Sequence, residues 1–305
     1  MKNGSYYSNG KLLLTGEYVV LDGATALAIP TKYGQSLTIE SIDEPKLIWT
    51  SFDEKKQVWF ENEFKLSDNG MLKQDQHDDI STRIIQILNA AKSLNPTFLN
   101  SSNGFKISTF LNFPRNWGLG TSSTLINNIA QWAQVDAYLL LEKTFGGSGY
   151  DIACAQTNQP LTYRLQQGKP IVKLVDFNPT FSGQLYFVYL NKKQNSRDGI
   201  AHYKANKDNV TATIDLINSI TTKMIACQSL PEFENLIVEH ETIISRVTKQ
   251  KTVKDLLFKD FEGEIKSLGA WGGDFILVTS KNNPRLYFEE KGFNTIIPFN
   301  QMVLK

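Results

Sequence analysis

The sequence predicts a mixed α+β protein with two domains. Segments with the alternating apolar pattern of strands interleave with segments that have the 3.6-residue period of helices. The 305 residues exceed the usual size of one domain, and 41% of them are hydrophobic, which is enough for sizeable cores. Asn178-Pro179 and Ser182-Gly183 precede a strand in the second half, so we expect domains at 1–181 and 182–305.

The first domain is predicted to begin with short strands and to continue with two helices. Strands are expected over 11–14, 18–21, 33–39, 46–49, 57–60 and 105–110. One helix should run from Ile80 until Asn95-Pro96 stops it, and another should span 121–137 after a glycine-rich turn at 116–123. A second glycine cluster, at 146–149, precedes a run of small residues.

The second domain is predicted to begin with a strand over 184–190, followed by a polar basic stretch at 191–198. Helices are expected at about 205–227 and 231–248. A glycine turn at 267–274 should lead into a strand over 275–278.

The composition of the chain argues against nucleic acid and membranes as binding partners. The chain has 32 basic and 31 acidic side chains, a net charge of +1, which argues against a protein that binds nucleic acid. Its longest apolar runs are far shorter than a membrane span, and its N-terminus has no apolar signal segment. We therefore expect a cytoplasmic protein that binds neither nucleic acid nor a membrane. We expect it to be a monomer or homodimer, and the resemblance described below implies a small-molecule substrate.

Gly118-Leu-Gly-Thr-Ser-Ser123 is the segment most suited to binding an anion, because it joins a predicted strand to a predicted helix. Glycines let the backbone approach a ligand closely, and the N–H groups of a helix N-terminus attract phosphate. The segment lacks the Gly-Lys-Ser/Thr of a Walker loop and the third glycine of a dinucleotide fingerprint. Taken alone, it would also fit an ordinary capped helix.

Three segments in order resemble the motifs of the GHMP kinase superfamily, which includes galactokinase, homoserine kinase, mevalonate kinase and phosphomevalonate kinase. They are Ser8-Asn-Gly-Lys-Leu-Leu-Leu-Thr-Gly-Glu-Tyr-Val-Val-Leu-Asp-Gly23, Pro114-Arg-Asn-Trp-Gly-Leu-Gly-Thr-Ser-Ser123 and Gly269-Ala-Trp-Gly-Gly-Asp274. The resemblance implies an N-terminal α+β domain with a left-handed βαβ crossover and a C-terminal ferredoxin-like domain. It also implies ATP and Mg²⁺ as cofactors.

The same resemblance implies roles for individual residues. Lys11 and Asp151 would be catalytic, the latter within Ser148-Gly-Tyr-Asp-Ile-Ala153, and Ser122 and Glu142 would bind the metal ion. An aspartate near an acceptor hydroxyl can take its proton, and a cation can neutralise the transferring phosphoryl group. Structural alternatives remain open: Asp151 would cap a helix, Lys11 would be a solvated lysine, and Glu142 an exposed helix-end residue. The implied nucleotide-binding residues are Gly118, Leu119, Gly120, Thr121, Ser122 and Ser123; the implied substrate-binding residues are Glu17, Tyr18, Lys193, Arg197, Gly272, Gly273 and Asp274.

The resemblance favours phosphomevalonate as acceptor over mevalonate, because Asp274 ends the third motif and Tyr18 follows Glu17. A diphosphomevalonate decarboxylase and a non-catalytic ligand-binding relative are the alternatives from other classes. Three positions depart from the family pattern: Asn9 replaces a proline, Ser123 an alanine and Trp271 a glycine. The indole at 271 would fill space near the ligand, narrow specificity or point outward.

Overall fold

The computed structural model describes residues 3–67, 72, 78–100 and 103–304. Helices and strands interleave within them, which confirms the predicted α+β class. The strands are β1 (Gly4–Leu13), β2 (Ala26–Ile42), β3 (Lys46–Phe52), β4 (Val58–Lys65), β5 (Gly104–Leu111), β6 (Leu161–Gln166), β7 (Lys169–Leu174), β8 (Leu185–Tyr189), β9 (Ile265–Ser267), β10 (Phe275–Thr279) and β11 (Ile296–Pro298). The helices are α1 (Asp79–Leu94), α2 (Thr121–Ala133), α3 (Ala137–Thr144), α4 (Tyr150–Ala155), α5 (Ser196–Asn206), α6 (Thr211–Ala226), α7 (Leu230–Thr248), α8 (Val253–Leu257), α9 (Arg285–Glu290) and α10 (Phe299–Met302).

The strand predicted over 18–21 is wrong, because Val19–Asp22 is a 3-10 helix. Val19 and Val20 are both buried, so the segment does not alternate between two faces as a strand would. Gly16 and Gly23 adopt φ angles of 81° and 96°, which turn the chain on either side of it.

The single helix predicted over 121–137 is two helices. Gln134 has a left-handed φ of 55° and ends α2 after Ala133. The Asp136 side chain then accepts the N–H groups of Tyr138 and Leu139 and caps α3.

The basic stretch predicted at 191–198 runs into helix α5. The Asn195 side chain caps this helix by accepting the N–H group of Arg197 at 3.1 Å. Only Gly199 and Tyr203 are buried along this helix. The segment therefore lacks the repeating apolar pattern by which a helix is predicted from sequence.

The described residues cluster into two compact units, neither of which is continuous in sequence. The first unit takes its residues from Met1–Gly10, Tyr33–Arg115 and Gly120–Gln156, and the second from Lys11–Lys32, Asn116–Leu119 and Thr157–Lys305. The predicted domain boundary between 181 and 182 falls inside the second unit and stays a prediction.

In the first unit, β4, β3, β5 and the second half of β2 form a sheet in that order. Strands β3 and β5 are parallel, and the connection between them contains β4 and α1; its handedness stays a prediction. Helices α1, α2 and α3 pack on one another, and α2 also packs on α4. In the core, Phe98 and Phe105 meet the Trp132 ring edge-on at centroid distances of 4.8 and 5.5 Å.

The second unit contains a four-stranded antiparallel sheet with the order β11-β8-β10-β9. Helices α5 to α8 lie in sequence between β8 and β9, and α9 lies between β10 and β11. This βαββαβ connectivity and strand order are those of a ferredoxin-like fold, as predicted for the C-terminal domain. The first part of β2 pairs with β6, which pairs with β7.

Among the described residues, no helix combines the length and apolar character needed to cross a membrane.

Replacement of Gly104 by alanine tests how closely β5 packs in the first unit. A Cβ atom at this position would lie 1.9 Å from the carbonyl oxygen of Lys46 and 2.2 Å from that of Glu44. Because backbone atoms can yield little, we expect Gly104→Ala to lower the free energy of unfolding by about 1–3 kcal/mol in urea denaturation.

Gly183→Ala is the matched control, because a Cβ atom there meets nothing within 4 Å. Its unfolding free energy should stay within about 0.5 kcal/mol of the wild-type value. Equal effects of the two replacements would contradict the close packing of Gly104.

Candidate functional site

The N-terminus of α2 is open to a ligand. Its N-cap is Gly120, in a left-handed conformation with φ 99°, and glycine has no side chain with which to bond the first-turn N–H groups. The hydroxyls of Ser123 and Thr124 do not point outward, because both donate to the Gly120 carbonyl, at 2.9 and 3.0 Å. Ser122 is exposed and Thr121 half-buried. Backbone N–H groups and the Ser122 hydroxyl are therefore the groups best placed to meet an anion here.

A buried polar network ties the first motif to α2 within the first unit. Ser8 Oγ donates to Asn128 Oδ1 at 2.7 Å and accepts from Asn127 Nδ2 at 2.8 Å. Asn128 Nδ2 in turn donates to the Gln35 carbonyl at 2.9 Å. Because every member is buried, losing one partner would leave a costly unpaired group, so the network fixes α2 in place.

Asp151 lies in the first turn of α4, half-buried, after Gly149 with φ 88°. One of its oxygens, Oδ1, accepts the N–H group of Ile152 at 3.1 Å. Helix α4 packs on α2, and Gln156 Nε2 at its end donates to Asn127 Oδ1 at 3.0 Å. The first unit therefore holds the predicted catalytic carboxylate on a helix fixed to the predicted phosphate-binding helix.

Lys11 contacts the glycine loop within the second unit. Its main-chain N–H donates to the Leu119 carbonyl at 2.9 Å, and its ammonium group donates to the Gly118 carbonyl at 2.8 Å. Lys11, Trp117, Gly118, Gly269 and Asp274 line a pocket of about 240 Å³, including space open to solvent. The lysine of the first motif, the glycine of the second and the aspartate of the third thus share one pocket.

The predicted substrate-binding cations lie on the surface of the second unit. Lys193 is exposed, and Arg197 is exposed in the first turn of α5. In the third loop, Gly272 is exposed, whereas Gly273 is buried: a Cβ atom on Gly273 would lie 2.8 Å from the Lys192 carbonyl oxygen. This close approach requires glycine at 273.

Glu17 is not placed to bind substrate as predicted, because its side chain is completely buried. Its Oε1 accepts from Lys266 Nζ at 2.5 Å, and the same ammonium group lies 3.1 Å from Glu241 Oε1. Burial, together with repulsion from Glu241, raises the pKa of Glu17 to about 7 despite the attraction of Lys266. Two carboxylates and one ammonium group thus share a site without solvent.

His240 borders this cluster as a neutral side chain. Burial, and then the charge of Lys266, lowers the pKa of His240 well below its usual value. Its Nε2 accepts the N–H group of Gly16 at 3.0 Å, so the ring proton lies on Nδ1. The 3.3 Å approach of Nε2 to Glu17 is therefore not an ion pair.

Tyr18 was predicted to bind substrate, but its side chain packs inside the second unit. It is 8% exposed and stacks on Tyr203 with a centroid distance of 5.6 Å. Its hydroxyl accepts the N–H group of Trp271 at 3.0 Å. Trp271 is itself 3% exposed and does not line the Lys11 pocket. The indole therefore packs inside the second unit, outside the pocket, and the main-chain N–H group of Trp271 holds the third loop to Tyr18.

The donor set for Mg²⁺ is small. Glu142 is exposed on α3, and the described residues contain no group of three or more His, Cys, Asp or Glu side chains that could hold a metal ion. Mg²⁺ commonly takes one or two protein oxygens and completes its shell with phosphate and water. The exposed hydroxyl of Ser122 and the carboxylate of Glu142, the two predicted ligands, fit that pattern.

No protein-family model and no curated protein match the sequence. Solved structures do match along nearly the whole chain. The mevalonate kinase of Methanococcus jannaschii superposes with a TM-score of 0.74 at 14% identity, covering 100% of this chain and 99% of its own. The phosphomevalonate kinase of Streptococcus pneumoniae, in complex with phosphomevalonate and AMPPNP, gives 0.68 at 13% identity, with coverages of 99% and 98%. The galactokinase of Lactococcus lactis, complexed with galactose, gives 0.68 at 12% identity, with coverages of 97% and 94%.

The chain has the GHMP kinase fold. Members of this fold that act on different acceptors match with similar scores, so the likeness does not select an acceptor. Within the fold, Lys266, Glu241 and His240 form the part of the structure that sequence reasoning missed. Each is a single polar residue in an unremarkable segment, and no motif in the sequence marked them as partners of Glu17.

The buried carboxylates predict a pH dependence of stability. A carboxyl group whose pKa is raised by folding stabilises the protein below its ordinary pKa and loses that contribution as pH rises through the folded value. For Glu17, we expect unfolding free energy to fall by roughly 2–3 kcal/mol between pH about 4.5 and pH about 7.

Glu17→Gln should remove most of this fall, because Lys266 then pairs with Glu241 alone. Urea denaturation across the pH range would measure it, with the exposed Glu262→Gln as control. A Glu17→Gln protein that keeps the wild-type pH slope would assign the effect to another group.

Proposed function

We propose that this chain is an ATP- and Mg²⁺-dependent kinase of the GHMP superfamily that phosphorylates a small-molecule acceptor. One observation carries the proposal: the ammonium group of Lys11 is bound to the glycine loop, at Gly118, directly before the open N-terminus of α2. A cation bound to the loop, and a helix N-terminus that follows the same loop in sequence, are each features suited to the anionic tail of a nucleotide. The GHMP kinase fold supports the same function.

The residues supply positioning and charge neutralisation, which are the main requirements of phosphoryl transfer. N–H groups of the loop and of the first turn of α2 would bind phosphate oxygens. Lys11 would neutralise charge on the transferring group, and Lys193 and Arg197 would bind an anionic group of the acceptor. Ser122 and Glu142 would hold Mg²⁺, which bridges and neutralises nucleotide phosphates when it is bound.

Asp151 has a role that depends on the acceptor. A hydroxyl must lose its proton as it attacks, and Asp151 would accept that proton. An acceptor phosphate is already ionised at neutral pH, so Asp151 would then orient it.

Phosphomevalonate is our first acceptor and mevalonate the second. Asp274 at the end of the third motif and Tyr18 after Glu17 support phosphomevalonate. A coupled ATPase assay with mevalonate, phosphomevalonate, homoserine and galactose tests the function. Phosphorylation of one of them is expected. Measurable ATP binding without turnover of any would favour a ligand-binding protein, and joint release of phosphate and carbon dioxide from diphosphomevalonate would indicate a decarboxylase.

Asp151→Ala tests the proposed base. With a hydroxyl acceptor, we expect kcat to fall by several orders of magnitude, because the attacking group keeps its proton. The exposed Asp79→Asn on α1 is the control and should retain normal turnover. A near-normal rate for Asp151→Ala would mean that Asp151 is structural or that the acceptor is already anionic.

A further inference from the structure

Helix α5 has almost no apolar face with which to pack on the second unit. Only Gly199 and Tyr203 are buried along its 11 residues. Helices in proteins are usually held in place by a buried apolar face, which this one lacks. It also meets the end of α7, where His202 Nε2 lies 2.8 Å from the Thr248 carbonyl oxygen. A few specific contacts therefore decide where α5 lies.

Two of these contacts go to Asp22, the last residue of the 3-10 helix in the first motif. The Tyr203 hydroxyl donates to Asp22 Oδ2 at 2.5 Å, and the ammonium group of Lys207, directly after α5, donates to Oδ1. The side chains of Asp22 and Lys207 are only 25% and 28% exposed. Hydrogen bonds to a charged group are stronger than those between neutral groups. Asp22 therefore holds the C-terminal end of α5 with both carboxylate oxygens.

Tyr18 forms the other side of this contact. Its ring stacks on Tyr203, and a Cβ atom at Gly199 would lie 2.8 Å from its hydroxyl oxygen. Glycine at 199 thus lets α5 approach the ring closely. The same hydroxyl accepts the Trp271 N–H group, so the ring is held in place from the side of the third loop.

The backbone of Tyr18 is strained. Its φ and ψ angles are 64° and −50°, and the N–H group of Val19 donates to the carbonyl of Glu17 at 2.8 Å. This is the rare, strained form of the γ-turn, which a bulky residue seldom adopts. Strained conformations persist only where their surroundings hold them, and they cluster at functional sites. This turn puts the Tyr18 ring in contact with both α5 and the third loop.

Helix α5 carries Arg197, a predicted acceptor-binding residue, in its first turn. Just before the helix, the Gln194 N–H group donates to Asp274 Oδ1 at 3.1 Å. The segment that contains Lys193 and Arg197 is thus held at one end by the third loop and at the other by the first motif. Arginine binds an anionic group with two parallel hydrogen bonds only from a defined position, so the placement of α5 matters for binding.

We propose that Asp22 is a positioning residue for the acceptor, because it docks α5 and thereby holds Arg197 where it can bind the anionic group of the acceptor. This role rests on the proposed kinase function. An acceptor that binds Arg197 only when α5 is docked loses apparent affinity in proportion to the docked fraction. Asp22 sets that fraction.

Hydrogen exchange in the free protein measures the docking. In Asp22→Ala, we expect the protection of α5 amides to fall about 10- to 100-fold, because hydrogen bonds to a charged group are lost and an undocked helix of this length is unstable. Gly199→Ala is a second variant, which keeps Asp22 and introduces a better helix former. It should also lower the protection, since its Cβ atom would push α5 away from Tyr18. Asp215→Ala, at an exposed acid on α6, is the matched control and should keep wild-type protection.

Steady-state kinetics with phosphomevalonate test the link to the acceptor. Asp22→Ala should raise the acceptor KM about 10-fold, while kcat and the KM of ATP change less than about 2-fold, because a saturating acceptor restores docking. A general loss of folded protein would instead lower kcat and leave KM unchanged. In an Arg197→Ala background, Asp22→Ala should raise the acceptor KM no further, since two residues that act through one contact are not additive.

Three results would overturn the proposal: wild-type protection of α5 in both docking variants, an unchanged acceptor KM in Asp22→Ala, or a full further rise of that KM when Asp22→Ala is added to Arg197→Ala. If the wild type phosphorylates none of the assayed acceptors, the proposed function fails by itself. Hydrogen exchange and calorimetric binding of phosphomevalonate to the wild type and to Asp22→Ala then still test the positioning role, and equal affinities would contradict it.

Discussion

The hydrogen bond between the Lys11 ammonium group and the Gly118 carbonyl is the interaction on which the proposed site depends. It is joined by the bond from the Lys11 main-chain N–H to Leu119, so one residue holds two successive carbonyls of the loop. A loop with two glycines has many accessible conformations, and these bonds select one of them. The selected conformation places a positive charge at the loop that leads into α2.

Each unit contains a network of buried polar side chains. In the first, Ser8 and the two asparagines of α2 satisfy one another in the interior. In the second, Glu17 and Glu241 share Lys266, with Ser267 donating to Glu241 at 2.8 Å. Buried groups of this kind add little net stability, but each fits only one arrangement of its partners. They therefore fix residues 8 and 17 of the first motif, each within its own unit.

Several of the candidate ligand-binding positions have left-handed backbone conformations, as do other turns of the chain. Gly118, Gly120 and Gly149 have positive φ angles, and they precede the groups proposed to bind phosphate or to accept a proton. Asp274 has a positive φ without being a glycine. Glycine meets such angles at no steric cost, and aspartate adopts them more readily than most other residues. Tyr18, at φ 64°, also has a positive φ, and its hydroxyl holds the third loop by accepting the main-chain N–H group of Trp271.

The sequence by itself determined the α+β class and the glycine loop before α2, because these depend on local periodicity and on glycine's conformational freedom. The ferredoxin-like fold of the C-terminal domain was implied by the resemblance of the three motifs. It did not determine that α2 ends at Ala133 or that α5 forms, since those depend on one left-handed residue and one asparagine cap. Only the tertiary structure decided that Glu17 is buried against Lys266, that Trp271 packs inward, and that the Asp274 carboxyl lies on Gly118. Such contacts join residues more than a hundred positions apart. The residue pattern of one segment does not indicate which residues of a distant segment will pack against it.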